Sequence, residues 1–128
     1  MTIELKMLLW STLLAFVQNL MPLFGNVYKN GLGWALGNRD NSPPWAVWPR
    51  RAFRARTNML ENLIIFAFLV IVAALAGIST PMTVLGAQLF FYGRVAHAIC
   101  YLVGIPYART LAWLVSVVGM GMILSALI

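Results

Sequence analysis

The residues of this chain that are best suited to chemistry stand at helical spacing beside a long apolar segment. Arg51, Arg54, Asn58 and Glu61 follow one another at intervals of three and four. Residues with that spacing lie along one face of an α-helix. Guanidinium groups present paired donors to a carboxylate, and the Glu61 carboxylate can receive an ammonium group. This face therefore indicates a site for a small anionic ligand that also carries an amine.

A second polar group lies within the next apolar segment. Arg94, His97 and Tyr101 are again three and four residues apart, so they also share a helix face. A charged side chain at the centre of a spanning helix costs about 2.5 to 3.5 kcal/mol on insertion scales, and such groups normally face a bundle interior and find partners there. We therefore expect the two polar groups to form one site near a membrane interface.

Each of these residues also has a purely structural interpretation. Glu61 can neutralise Arg54 or Arg94 within the bundle, and the spacing alone does not separate that role from ligand binding. His97 is the single histidine, and a lone histidine on a helix more often satisfies a core hydrogen bond than performs catalysis. With this histidine and one cysteine, Cys100, the chain lacks the convergent ligands that zinc or iron requires. We expect no metal.

The composition requires that the elements carrying these residues lie in a membrane. Of the 128 residues, 62% are hydrophobic and 9% are charged, and the mean hydropathy is +0.85. A spanning helix needs about 20 largely apolar residues, and the sequence predicts four helices, over about 3–25, 52–77, 81–103 and 107–128. The prediction is an all-α integral membrane protein in which residues 1–128 form a single bundle of four transmembrane helices.

Positive charge is concentrated around the first connection, at about residues 26–51. The net charge is +6, and six of the nine basic residues lie in or beside this connection, namely Lys29, Arg39, Arg50, Arg51, Arg54 and Arg56. Because basic connections remain in the cytoplasm, we expect this connection on the cytoplasmic side, together with Arg109, and both termini on the opposite side. For Arg39 and Arg50, a solvated patch that binds lipid headgroups is the simpler interpretation. No nucleic-acid-binding motif accompanies the basic segment.

Two motifs resemble those of a known family of membrane proteins. The run RAFRARTNMLEN from Arg51 to Asn62, and GRVAH from Gly93 to His97, resemble the MAPEG family, the membrane-associated proteins in eicosanoid and glutathione metabolism. Tyr101, Pro106 and Arg109, which come after the second run, resemble the family pattern as well. The segment GNRD at residues 37–40 is similar to that of its short bacterial branch.

The resemblance implies an assembly and a ligand. The expected protein is a MAPEG-like homotrimer in a bacterial inner membrane, with glutathione or a similar small thiol bound between subunits near the cytoplasmic face. By matching position, the expected glutathione-binding residues are Arg54, Asn58, Glu61, Arg94, His97 and Tyr101. Among these, Asn58 and Glu61 would hold the glutathione backbone, and the residues of the second motif would line the pocket or support it.

Arg109 is the residue to which the resemblance assigns catalysis, because it matches the arginine that stabilises the glutathione thiolate. A free thiol has a pKa near 8.5 and is only a few per cent thiolate at neutral pH. A guanidinium that lowers this pKa by about two units supplies about 2.7 kcal/mol and makes the thiolate dominant. The thiolate can then attack a lipophilic electrophile or a lipid peroxide. The predicted activity is a glutathione-dependent membrane transferase or peroxidase.

The chain departs from the eicosanoid-forming members of the family at two positions. Thr57 stands where those members carry a basic residue that contacts glutathione, and Trp113 stands where they have a tyrosine. Two alternatives therefore remain open. One is a non-catalytic MAPEG-like protein that binds a lipid or a small thiol. The other is a small four-helix exporter with a proton-carrying carboxylate, against which the position of Glu61 beside arginines argues.

Overall fold

The computed structural model describes residues 1–31, 33, 36–37 and 47–128. Four long α-helices form this part of the chain, which contains no strand. We number them α1 (Ile3–Asn30), α2 (Val47–Leu75), α3 (Pro81–Val103) and α4 (Pro106–Leu127). The described chain is therefore the all-α four-helix bundle that the sequence predicts.

The helix bounds differ most from the predicted ones around the first connection. Helix α1 continues to Asn30 rather than ending near residue 25, and α2 begins at Val47 rather than near residue 52. The prediction was based on apolar length, whereas a helix continues wherever its backbone hydrogen bonds can form. The arginines that follow the first three residues of α2 are good helix formers. Of the residues assigned to this connection, Arg39 and most of the GNRD segment lie outside the described residues.

The bounds of α3 follow from recognisable signals at both of its ends. Thr80 and Thr83 form a capping box in which each hydroxyl oxygen accepts a hydrogen bond from the other residue's backbone N–H, at 3.2 and 2.8 Å. Pro81 then occupies the first turn. At the other end, Gly104 adopts the left-handed conformation with φ +87°, which ends α3, and Pro106 begins α4.

Polar contacts between helices show that the four helices alternate in direction. Arg56 Nε on α2 donates a hydrogen bond of 2.7 Å to Asn19 Oδ1 on α1. The hydroxyl of Ser79 donates to the Glu4 carboxylate at 2.9 Å, and Thr83 donates to the same buried carboxylate. We call the end at which α1 and α3 finish and α2 and α4 begin the basic end. Glu4 and the α2–α3 turn lie at the opposite end.

Helix α3 packs against all three of the other helices. Its closest neighbour is α4, where Gly86 and Gly119 bring the two backbones together: a Cβ built on Gly119 would lie 2.4 Å from the carbonyl oxygen of Gly86. Helix α2 contributes Phe66, whose ring stacks on that of Phe90 with centroids 3.9 Å apart. The result is a tightly packed bundle with α3 at its centre.

Among the described residues, three helices are long and apolar enough to cross a membrane, over Ile3–Gly25, Arg50–Leu75 and Pro106–Leu127. Helix α3 has a comparable length of 23 residues but carries Gln88, Arg94 and His97. It can remain in the bundle because the other helices cover Arg94 and His97, which are both buried. Large apolar side chains cover much of the outer surface instead. The chain is therefore an integral membrane protein in a lipid bilayer environment.

Candidate functional site

Four of the residues predicted for chemistry meet in a cleft at the basic end of the bundle. We call it the Arg109 cleft; it has a volume of about 230 Å³ and is lined by Asn58, His97, Tyr101, Arg109, Thr110 and Trp113. These side chains come from α2, α3 and α4. The fold thus brings residues from both sequence motifs, and the predicted catalytic arginine, to a single surface.

A second cleft adjoins the first and contains the predicted acidic residue. We call it the Glu61 cleft; it measures about 260 Å³ and is lined by Phe53, Arg54, Thr57, Asn58, Glu61 and Tyr101. Asn58 and Tyr101 line both clefts. Ligand sites typically measure about 300 to 1,000 Å³. Neither cleft reaches that size alone, but the two are adjacent and share Asn58 and Tyr101 in their walls.

Aromatic rings connect Arg109 to the centre of α3. The guanidinium carbon of Arg109 lies 4.7 Å from the centroid of the Tyr101 ring, which is a cation–π contact. His97 lies one helical turn before Tyr101 on α3, and the centroids of the two rings are 5.5 Å apart. Arg109 also lies in the first turn of α4, where the helix dipole favours negative charge. These features make the cleft electrostatically suited to an anion.

Arg94 lies behind this cleft rather than in its wall. It is 1% exposed, and its Nη2 atom lies 3.5 Å from Nδ1 of His97. Its Nε and Nη1 atoms have no hydrogen-bond partner among the described residues. Arg94 lines neither cleft, so within the described chain it reaches the site only through His97.

Glu61 does not neutralise either of the arginines that were its structural candidates. Its side chain is exposed on α2, and among the described residues it forms no ion pair with Arg54 or Arg94. The carboxylate instead faces the Glu61 cleft together with Arg54, which is also exposed. The described structure therefore leaves both charges available to a ligand or to a second protein chain.

Asn62 contacts a site residue, although it lines neither cleft and the sequence analysis did not select it. Its Nδ2 atom donates a hydrogen bond of 2.8 Å to the backbone oxygen of Asn58 and lies 3.4 Å from Oδ1 of the same residue. This contact orients the Asn58 side chain, which both clefts share. The signal that could have identified Asn62 is its spacing, because side chains four residues apart on a helix are neighbours.

The other lining residues that were not selected as site residues are polar or aromatic. Phe53, Thr57, Thr110 and Trp113 complete the walls of the two clefts. The sequence analysis instead selected Arg54, Asn58 and Arg109, for their charge or hydrogen-bonding capacity. Within the described residues, no three His, Cys, Asp or Glu side chains lie close enough to hold a metal ion.

The fold and the site together define a class: a multi-pass α-helical membrane protein with a polar, partly cationic cleft at one end of its bundle. The MAPEG family model matches residues 7–128, which is nearly the whole chain. The chain belongs to the MAPEG family, and is therefore a membrane protein related to eicosanoid and glutathione metabolism. Comparison with curated protein sequences gives no match.

Proposed function

We propose that this protein is a glutathione-dependent membrane transferase or peroxidase that acts on lipophilic electrophiles. The observation that carries the proposal is the convergence of Asn58, His97, Tyr101 and Arg109 on one cleft, although 51 positions separate the first from the last. Family membership supports glutathione metabolism as the context. The remaining steps follow from the charges that line the two clefts.

The two clefts complement the charges of glutathione, which carries two carboxylates, one ammonium group and a thiol. In the proposed complex, Glu61 receives the ammonium group and Arg54 binds a carboxylate, since both side chains line the Glu61 cleft and are exposed. Asn58, at the junction of the clefts, hydrogen-bonds the peptide backbone. The thiol then lies in the Arg109 cleft.

Arg109 supplies the electrostatic step of the proposed reaction. Its guanidinium and the first turn of α4 stabilise the sulfur anion. In a transfer reaction, the thiolate forms a C–S bond with an electrophilic carbon while the leaving group departs with the displaced electron pair. In a peroxidase reaction, the sulfur attacks a peroxide oxygen and the O–O bond breaks. The products are an alcohol, after protonation, and a sulfenic acid, which a second glutathione converts to the disulfide and water.

The proposed orientation places the basic end in the cytoplasm. Arg50, Arg51, Arg54 and Arg56 all lie within the first turns of α2, at that end, and membrane proteins retain such clusters on the cytoplasmic side. Glutathione would then enter from the cytoplasm, while the electrophile enters from the bilayer. Accessibility of single cysteines at the two ends to an impermeant thiol reagent tests this orientation.

The decisive experiment measures glutathione binding by calorimetry and the ultraviolet absorbance of the bound thiolate in purified, detergent-solubilised protein. We expect saturable binding to wild type with a dominant thiolate at neutral pH. Arg109→Ala is expected to preserve helicity but to lower the thiolate-to-thiol ratio about 100-fold, which corresponds to a pKa difference of about two units. Arg50→Ala is the matched control, because Arg50 is exposed and lines neither cleft.

An unchanged thiolate signal in Arg109→Ala would contradict the catalytic assignment. The second candidate function, a non-catalytic binder, is favoured by one observation: Trp113, an apolar ring with a single N–H donor, occupies part of the Arg109 cleft. Turnover distinguishes the two functions. The transferase consumes 1-chloro-2,4-dinitrobenzene and the peroxidase consumes cumene hydroperoxide, each with glutathione, whereas the binder takes up the thiol and consumes neither.

A further inference from the structure

A third cavity lies between α1, α2 and α3, and it differs in character from the two clefts. It has a volume of about 190 Å³, and apart from one glutamine its lining is entirely apolar. We call it the Gln18 pocket. Alanines form its wall on α2, at Ala52 and Ala55, and Ala98 contributes from α3. These small side chains are what leave the space open.

The Gln18 pocket is separate from the proposed glutathione site. It shares no lining residue with the Arg109 cleft or the Glu61 cleft. Ala52 and Ala55 are buried on the inner face of α2, whereas Arg54 and Glu61 are exposed on its outer face. Helix α2 therefore lies between the Gln18 pocket and the Glu61 cleft, and a change in one of these two sites need not alter the other.

Gln18 is an anomaly in this apolar wall. The residue is 4% exposed, and its Oε1 atom is buried with no hydrogen-bond partner among the described residues. Buried polar groups in native proteins nearly always have a partner, and leaving one unpaired is costly. The terminal amide torsion of glutamine is broad, so either amide atom can turn toward the cavity. An occupant with a complementary polar group would satisfy it.

The pocket borders an apolar part of the outer surface of the described chain. Val17 and Ile99 line the pocket and are also exposed large apolar residues on α1 and α3. A ligand dissolved in the bilayer can therefore enter between these two helices without crossing the polar end of the bundle. This route favours an amphiphile whose body is apolar.

We propose that the Gln18 pocket binds the hydroxyl-bearing ring of a lipophilic phenol that enters from the bilayer. An apolar cavity of about 150 Å³ accommodates benzene, so the Gln18 pocket has room for a ring and a hydroxyl group. A hydroxyl both donates and accepts, which matches the two atoms of the glutamine amide. Water fits less well, because a bound water needs about two to four polar partners and Gln18 is the one polar residue of the lining. An acyl chain also fits less well, because it would leave the glutamine amide unpaired.

The test compares two probes that differ by one oxygen atom, 4-octylphenol and octylbenzene. The measurement is the thermal unfolding midpoint of the detergent-solubilised protein as each probe is titrated. We expect a saturable increase with 4-octylphenol that exceeds the increase with octylbenzene. A diazirine placed on the chain of 4-octylphenol should label peptides of α1 and α3 on irradiation.

The variants separate the hydrogen bond from the cavity. Gln18→Leu should lower the apparent affinity for 4-octylphenol about three- to tenfold, the usual range for one hydrogen bond, and should leave octylbenzene unaffected. This variant is expected to fold because it removes an unpaired polar group. Ala98→Leu should abolish the response to both probes by filling the cavity. Val17→Trp should abolish it by blocking the entrance. Gln88→Leu is the matched control, because Gln88 does not line the pocket.

Equal responses to the two probes in wild type would overturn the proposal, since they would indicate an acyl-chain pocket in which Gln18 has no role. So would a hydroxyl preference that survives Gln18→Leu, photolabelling confined to α4, or no saturable response. Glutathione binding measured in Gln18→Leu should equal that of wild type. Its loss would indicate that the two sites are coupled, contrary to the separation by α2.

Discussion

Arg94 and His97 connect the interior of the bundle to the Arg109 cleft. A single long contact of 3.5 Å joins the two side chains, and two further nitrogens of Arg94 remain unpaired among the described residues. Buried arginines are normally paired because an isolated charge is expensive to desolvate. Within the described chain Arg94 is thus an unfavourable residue beside the site, and we expect it to have a positioning role toward His97.

We expect Arg94→Met to raise the free energy of unfolding of the glutathione-free protein by about 1 kcal/mol or more, since methionine fills a similar volume without an unpaired charge. The same variant should weaken glutathione binding, because His97 loses the neighbour that fixes its ring. Denaturant titration and calorimetry measure the two effects. A less stable Arg94→Met would contradict this reasoning and would show that the guanidinium has partners in the assembled protein.

Asn62 acts on the site through Asn58. Because its amide donates to the Asn58 backbone at 2.8 Å and lies beside the side-chain oxygen, Asn62→Ala should release the Asn58 side chain and reduce glutathione affinity about three- to tenfold. Asn19→Ala is the control, since it removes the hydrogen bond to Arg56, outside both clefts. Equal losses of affinity in the two variants would mean that Asn62 supports only the fold.

The sequence could predict which residue types belong to the site but not how each would be placed. Spacing put Arg54, Asn58 and Glu61 on one helix face, and they line one cleft. The same spacing argument grouped Arg94 with His97, and both are buried, yet only His97 lines a cleft. Side-chain direction within a shared face depends on the packing of neighbouring helices, which periodicity does not contain.

At the scale of elements, the contact between α3 and α4 determines where Arg109 lies. A Cβ built on Gly93 would lie 3.0 Å from the carbonyl oxygen of Ala112, and Ser116 is fully buried beside it. Such close approach of small residues is a common way to join membrane helices. The short connection through Gly104 then fixes the first turn of α4, and Arg109 with it, against Tyr101.

The sequence can indicate one side of this contact, because the small residues Ala112, Ser116 and Gly119 recur along α4 at intervals of four and three. Their partners on α3, Gly86 and Gly93, do not form such a series. The ends of α3 were predictable from proline and glycine, which act locally. The end of α1 and the beginning of α2 were not predictable in this way. Polar residues there mark the limit of the apolar segment, but they do not end a helix.

We expect Gly119→Ala to destabilise the bundle by about 1 to 3 kcal/mol, the usual cost of overpacking. The added methyl group would lie 2.4 Å from the Gly86 carbonyl oxygen and 2.8 Å from the Phe90 nitrogen, and backbone atoms cannot move aside easily. Gly121→Ala is the control, since nothing lies within 4 Å of its added Cβ. Unfolding in mixed detergent measures the stability of both variants. Equal stability of Gly119→Ala and Gly121→Ala would show that α3 and α4 can move apart without cost.

At the scale of the whole molecule, the outer face of α2 is unsuited to contact with lipid. Arg54 and Glu61 are exposed, and both lie within the candidate span Arg50–Leu75. Glu61 follows Arg56 by five residues, or about 7.5 Å along the helix, so it approaches the hydrocarbon region. Ionised groups at that depth normally face protein or water. The face therefore requires a cover, which a second copy of the chain would provide.

We expect native mass spectrometry of the detergent-extracted protein to show an oligomer, with three copies as the number that the family resemblance implies. The apolar continuation of the same α2 face includes Phe68, which is 67% exposed in one chain. Phe68→Ala should therefore promote dissociation on dilution, because it removes apolar packing between copies. The matched control is Phe16→Ala on α1. Phe16 is 61% exposed, and α1 carries neither Arg54 nor Glu61. A monomer that binds glutathione with full affinity would show that lipid headgroups or water cover Arg54 and Glu61 instead.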